Sequence, residues 1–251
     1  MASIALLSGD EVFVVDATPD LRQQLDALRD VRRPPPGRVD RTPLSGVLLT
    51  HAHIGHYLGL AWLGFEAISA EGIPLHATPK MNAFVRDNAP WDQLVELGNV
   101  RPVDHPPESP YALAGITVTP IVVPHRDEYA DTVAYRFDGP RRSVLYMPDT
   151  EPFDRWTRPL ESVLEGVDVA LVDGTFYSGD ELPGRPVAEI GHPLVVDTMD
   201  RLQPLVDAGR LDVYFTHFNH SNPAVTPGSE VRRSIEARGF GVLEDGDELP
   251  L

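Results

Sequence analysis

"LLTHAHIGHYLGL", residues 48–60, places His51, His53 and His56 within six positions, between an apolar run and a segment of helical spacing. On extended chain, side chains two apart point the same way, so His51 and His53 share a direction. His56 opens the following helix and can point back toward them. Three imidazoles gathered this tightly form a metal-binding set. Imidazole suits zinc, iron and manganese alike, so the triplet does not name the ion. Gly55, between the second and third histidines, is the residue that such a set does not explain.

Outward from this stretch the chain alternates strands and helices. "SGVLLT" (45–50) is a short buried strand ending at His51. Before it, "SIALLS" (3–8) and "EVFVVDA" (11–17) read as a hairpin turned at Gly9–Asp10. "TPDLRQQLDALRD" (18–30) reads as a helix with Thr18 as N-cap and Pro19 at its first position. The Pro- and Arg-rich stretch 31–42 reads as a loop. After the triplet, apolar residues at Leu58, Ala61, Trp62, Phe65 and Ile68 predict one helix from His56 to Ser69. "GIPLHA" (72–77) is a strand, and "TPKMNAFVRDN" (78–88) is a helix with another Thr-Pro start.

"ITVTPIVVPH" (116–125) predicts a strand ending at His125. "TVAYRF" (132–137) and "SVLYMPD" (143–149) pair around "DGPRR". "VDVALVDGTF" (167–176) is a buried strand ending in a turn. "HPLVVDTMDRLQPLVDAG" (192–209) is a helix with Gly209 just past its end. "LDVYFTHF" (211–218) is a strand and "SEVRRSIEARG" (229–239) a helix. The acidic tail 244–251 is expected to be loose. The fold class is α/β (α+β) in a single domain over 1–251, with no internal repeat and no linker long enough to separate domains.

Composition narrows the function. The 251 residues include 38 acidic and 21 basic side chains, a formal net charge of −17. Such a surface repels nucleic acid and anionic lipid, so a small molecule is the expected partner. No run approaches the roughly 18 apolar residues of a membrane span. The N-terminus lacks a basic region before its apolar run, and a cytoplasmic location is expected. There is no cysteine. Any metal is therefore held by His, Asp or Glu.

The remaining candidates fall at strand ends. His125, His217, Asp149 and Asp173 each close an apolar strand, and ends of adjacent strands converge at one edge of a sheet, where α/β sites lie. Each has an ordinary alternative. A lone strand-end His is most often a hydrogen-bonded surface residue, and a strand-end Asp is most often a turn former.

"THAHIGH" (50–56) resembles the H-x-H-x-D-H signature of the metallo-β-lactamase superfamily. The resemblance continues in order through "VDATPD" (15–20), "PHRDEYADTVAYRF" (124–137), "LYMPDT" (145–150) and "FTHFNHSNP" (215–223). Within the superfamily, "LVDGTFYSGDEL" (171–182), "IGHP" (190–193) and "THFNHSNP" (216–223) are most similar to the pyrroloquinoline quinone biosynthesis protein B family. The resemblance implies a four-layer αββα sandwich with one or two divalent metal ions, zinc foremost and iron or manganese as alternatives. It implies His51, His53 and His125 on a first metal, and His56 and His217 on a second, with Asp149 bridging. It also matches Asp173 and His192 to an acidic residue and a histidine that, in the ribonuclease Z and phosphodiesterase branches, assist at the phosphate and leaving group. Asp173 would fix the tautomer of His192 and raise its pKa for acid work. The alternative for His192 is a helix N-cap residue.

Three departures qualify the match. Gly55 stands where the superfamily has a ligating Asp. The Gly-rich strand and loop that usually precede the hairpin are missing from this sequence. Protein B members usually replace much of the histidine signature, which this chain retains. Gly55 leaves three readings open: a dead site, one tight metal with a weak second position, or two metals with water or His220 filling the gap. Two divalent ions, one carboxylate and one bound hydroxide leave a site of about +2, which favours a small anionic substrate.

Three functions follow as expectations. The first is a metal-dependent hydrolase acting through a metal-bound hydroxide on a phosphodiester or carboxylate-bearing substrate, with His192, Asp173 and His220 as catalytic candidates. The second is an iron-dependent oxygenase in quinone-cofactor or related biosynthesis, with Gly55 opening a coordination position for O₂. The third is a non-catalytic metal-binding protein. The apolar hairpin 3–16, lacking its usual neighbour strand, is expected to offer a homodimer edge.

Overall fold

Alternating apolar residues in "IALLS" and "EVFVV" make β1 (Ile4–Ser8) and β2 (Glu11–Val15), paired antiparallel from Ile4↔Val15 to Ser8↔Glu11 in the computed structural model. Gly9 takes the positive φ that the tight turn requires. The structure describes residues 2–34, 36–181, 184 and 189–251. Leu182, the last residue of the "LVDGTFYSGDEL" stretch, and Pro35 of the proline-rich loop lie outside them.

The chain forms two compact units, Met1–Gly115 with Asp127–Thr132, and Ile116–Arg126 with Val133–Leu251. In the first unit a five-stranded sheet runs β1-β2-β3-β4-β5, adding β3 (Gly46–Leu48), β4 (Ile73–Ala77) and β5 (Val100–Asp104) in parallel. Val12, Val14, Val47 and Leu75 face a buried cluster with Leu21, Leu25 and Leu28 of α1 (Leu21–Val31). Met81 and Val85 of α3 (Pro79–Asp87) and Trp91 of α4 (Trp91–Glu96) complete the cluster. Each fully buried side chain of this kind contributes about 1.5–3 kcal/mol of transfer free energy. Between α1 and α3 in sequence lies α2 (Ile54–Tyr57), and β6 (Tyr111–Leu113) is the edge strand of a seven-stranded sheet.

In the second unit, β7 (Ile116–Val122), β8 (Val133–Asp138) and β9 (Ser143–Met147) pair antiparallel in turn. β10 (Val169–Asp173) joins β9 in parallel, β11 (Asp212–Thr216) joins β10, and β12 (Gly241–Val242) joins β11, which gives the seven-stranded order β12-β11-β10-β9-β8-β7-β6. Val195, Met199 and Leu202 of α6 (Val195–Asp207) and Ile235 of α7 (Glu230–Ala237) pack with Ala170, Val172, Val213 and Phe215. A short α5 (Leu160–Val163) adds Leu160 and Val163.

Several local expectations shift. The predicted helix 56–69 is α2 followed by a 3₁₀ segment, Leu58–Leu63. A Cβ on Gly59 would lie 2.0 Å from the Thr18 carbonyl, so the chain here is pressed against the Ala17–Thr18 backbone and tightens. Thr18 does not cap α1: its hydroxyl accepts from Asp20 N, and Asp20 is the N-cap. Thr78, by contrast, caps α3 by accepting from Met81 N. β7 stops at Val122, three residues before His125. The acidic tail is held, not loose. Glu244 pairs with Arg232 at 2.6 Å, and Leu251 lies against Gly139.

Candidate functional site

In the first unit, β3 delivers the chain to Thr50 and His51, and His53 serves as N-cap of α2 in extended conformation (φ −100°, ψ 143°). Helix α2 then turns His56 back toward the strand end. The His51 ring lies 4.6 Å from that of His53 and 4.1 Å from that of His56, centre to centre. His51 and His56 are buried.

One carboxylate organises this group. Asp16, fully buried at the end of β2, takes a left-handed φ of 68°. It accepts from Thr50 N at 2.8 Å, from the Thr50 hydroxyl at 2.9 Å and from His56 Nδ1 at 2.7 Å. A carboxylate only accepts, so His56 Nδ1 carries the hydrogen and Nε2 carries the lone pair. The Thr50 hydroxyl spends its proton on Asp16 and accepts from His51 Nδ1 at 2.9 Å, which leaves the lone pair of His51 on Nε2 as well. His53 Nε2 donates to Glu128 at 3.1 Å. This is the outer shell that metal-ligating histidines use to fix their tautomers.

In the second unit the parallel register of β9, β10 and β11 sets their C-terminal ends side by side. Asp149 follows β9, Asp173 closes β10, and His217 follows β11 with a φ of 58°. His125 is fixed by its neighbour Pro124, whose carbonyl accepts from Glu151 N at 2.7 Å and from the Thr150 hydroxyl at 3.1 Å. Three histidines surround buried Asp149: His192 Nδ1 at 3.2 Å, His217 Nε2 at 3.3 Å and His125 Nε2 at 3.8 Å. Asp149, Asp173 and His192 offer ligand atoms within 4.8 Å of one another.

The donor chemistry here fits a cation. His217 Nδ1 lies 3.0 Å from the Thr175 hydroxyl, which also reaches the His217 carbonyl and His192 Nδ1, each at 3.2 Å. His217 Nε2 and His125 Nε2 converge on a buried carboxylate, an imidazole and carboxylate set of the kind that holds a divalent cation.

His192 is no helix cap. Leu194 caps α6, and His192 Nδ1 donates to Asp173 at 2.8 Å. Burial lowers the pKa of His192, but the charges of Asp173 and Asp149 outweigh it and push the value up to about 10. Asp173 is itself held by Thr150 N at 3.2 Å and Thr175 N at 2.9 Å. His220 falls outside this group; it is exposed in the turn after β11. In the sequence Asp16 is visible only within the "VDATPD" match. Thr50, Glu128 and Thr175 carry no signal there, because a hydrogen bond between side chains leaves no mark on spacing or composition.

His76 and His105 form a separate pair. His76 Nδ1 meets His105 Nε2 at 2.8 Å, and the Tyr111 ring stacks on His105 with centroids 3.4 Å apart. Burial first, then the charges of His105 and Arg101, push the pKa of His76 down to about 4. Burial lowers that of His105 too. The unfolded chain takes up protons near pH 6.5 while the folded chain resists them. The stabilisation from the neutral pair is whole above pH 6.5 and fades as pH falls toward 4. Denaturant midpoints measured from pH 7 to 4 will therefore fall more steeply for the native chain than for a His76→Phe variant. Equal slopes would remove the pair from the pH response.

Comparison with known proteins places these features in a family. The β-lactamase superfamily domain model matches residues 12–218. Coenzyme PQQ synthesis protein B of Methylobacterium sp. (strain 4-46) is 29% identical over 97% of this chain and 84% of its own. The crystal structure of zinc-bound PqqB from Methylobacterium extorquens superposes with a TM-score of 0.82 at 26% identity, covering 100% of this chain and 87% of that one. A diphosphatase of the PhnP family superposes with a TM-score of 0.65 at 20% identity, over 98% of this chain and 82% of that one. The last likeness is one of fold. No helix among the described residues is long and apolar enough to cross a membrane.

Proposed function

The chain belongs to the β-lactamase superfamily, and from that premise we propose that it is a metal-dependent hydrolase of a small anionic substrate. The superfamily pattern assigns His51, His53 and His125 to one ion, and His56 and His217 to a second, with Asp149 shared. The tautomers of His51 and His56, fixed through Thr50 and Asp16, support this assignment, as does the approach of His217 Nε2 to Asp149. A divalent metal, when bound, supplies Lewis-acid polarisation and lowers the pKa of a coordinated water toward roughly 7.

The observation that carries hydrolysis is the Asp173–His192 pair. His192 Nδ1 is committed to Asp173, and the neighbouring carboxylate charge favours the protonated ring. Its Nε2–H is then the proton donor for a leaving oxygen, and Asp173 keeps the ring oriented while the proton leaves. The −17 net charge disfavours polyanions, which supports a small substrate. The test is turnover of bis-p-nitrophenyl phosphate, lactones and β-lactams by metal-stripped protein before and after zinc, manganese or iron is added. Metal-restored turnover on one class supports the reading, and none on any class overturns it.

Gly55 favours a second reading, iron-dependent oxygen chemistry in quinone-cofactor biosynthesis, because a missing carboxylate leaves coordination positions for O₂ and substrate. Oxygen uptake with Fe²⁺ distinguishes it. Gly55 lies inside α2, in a helical backbone conformation that any residue adopts. Gly55→Asp is therefore expected to tighten the weaker of two zinc-binding steps in calorimetry on metal-free protein. Two equal steps in the native chain, or no gain in the variant, would show that Gly55 is not a missing ligand.

A further inference from the structure

Glu128 brings a second carboxylate to the histidine triplet, besides the one that Asp16 supplies. Its Oε2 lies 3.1 Å from His53 Nε2, across 75 positions of sequence. The side chain is 46% exposed, so burial does not force this contact. The loop that carries it is fixed on both sides. Before it, Asp127 accepts from the Thr132 hydroxyl at 3.1 Å. After it, Ala130 sits in the core of the first unit, and Asp131 accepts from the Thr78 hydroxyl, which also caps α3. The Tyr129 ring packs 5.7 Å from that of Phe84. Glu128 is thus set against His53 by a braced turn rather than by chance sampling of a loose one.

Two consequences follow from chemistry alone. A carboxylate accepts and does not donate, so His53 Nε2 carries the hydrogen and Nδ1 carries the lone pair. The contact also places one negative charge beside a histidine set from which Gly55 has removed one. We propose that Glu128 is the positioning residue for His53, holding its imidazole as the Nε2–H tautomer with Nδ1 available to a divalent cation, and that it returns to the triplet the charge absent at position 55. The second half of this statement rests on the metal-binding reading given above; the tautomer half does not.

The two roles separate by substitution. Glu128→Gln keeps an oxygen acceptor for Nε2–H and removes the charge. Glu128→Ala removes both. Metal-free protein labelled with ¹⁵N in its histidines reports the tautomer directly, through two-bond ¹⁵N–¹H correlations of the His53 ring. The native chain and Glu128→Gln are expected to show the Nε2–H form, and Glu128→Ala a mixture. Competition with a chromophoric chelator reports zinc affinity. The expected order is native, then Gln, then Ala, with the Ala variant about 10–100-fold weaker, the range for removal of an outer-shell partner. Gly55→Asp added to Glu128→Ala is expected to recover some of the affinity and none of the tautomer. An unchanged His53 tautomer in Glu128→Ala overturns the positioning role, whether or not zinc binds. A native chain that binds zinc with the same affinity as both variants overturns the charge role. A native chain that binds no zinc overturns the metal-binding reading and, with it, the charge role, while the tautomer result stands on its own.

Discussion

Asp16→Ala lowers the unfolding free energy by about 3–5 kcal/mol, the cost of breaking a buried charged network by removing one partner. The carboxylate is fully buried and answers three donors, Thr50 N, the Thr50 hydroxyl and His56 Nδ1. Alanine leaves all three without an acceptor, each at about 1–3 kcal/mol before relaxation. The backbone adds to this, because φ at position 16 is 68° and Asp tolerates the left-handed region better than Ala. Asp16→Asn keeps one oxygen and the backbone preference, and should cost about 1–2 kcal/mol. Urea unfolding of both variants measures the difference. The Ala variant should also lose zinc affinity, because His56 loses its acceptor and Thr50, once released, no longer fixes the tautomer of His51. A loss under about 1 kcal/mol for Asp16→Ala would mean that water replaces the carboxylate, and that the triplet is held by packing instead.

His192→Ala lowers kcat by about 10²–10⁴ on substrates with poor leaving groups, the span of a positioned general acid. The dependence on leaving group identifies the role. An alkoxide or unsubstituted phenolate needs a proton as it departs, whereas p-nitrophenolate leaves without one. A series of aryl phosphodiesters of rising leaving-group pKa should give a shallow slope for the native chain and a steep one for the variant. Asp173→Asn should steepen the slope in the same sense, since it removes the charge that keeps His192 protonated. Parallel slopes with a uniform drop would make His192 a binding residue and not the proton donor.

The legibility of the chain divides by distance. Most elements whose cause is local read correctly from sequence, the Thr18–Pro19 start of α1 excepted. Thr78-Pro79 starts α3, Ser229 starts α7, and Gly209 follows α6 with positive φ. The strand-end pattern of Asp149, Asp173 and His217 is legible because three buried strands run parallel and stop in register. The helix predicted over 56–69 fails because apolar spacing cannot see the Ala17–Thr18 backbone against Gly59. Helix α4 escapes the sequence reading because six residues give too short a period. The partners of the histidines are the least legible. Asp16 reaches His56 across 40 positions, and Glu128 reaches His53 across 75. A surface acid near a histidine looks like any other acid until the loop that carries it is placed.

On the function proposed, these histidines are ordered to hold a divalent cation. Calorimetric zinc titration of metal-stripped protein tests this most directly, run beside His51→Ala and His217→Ala. Saturable zinc binding is expected of the native chain, with loss of at least one binding step in each variant. A native chain that takes up no zinc, or variants that bind it as the native chain does, would contradict it.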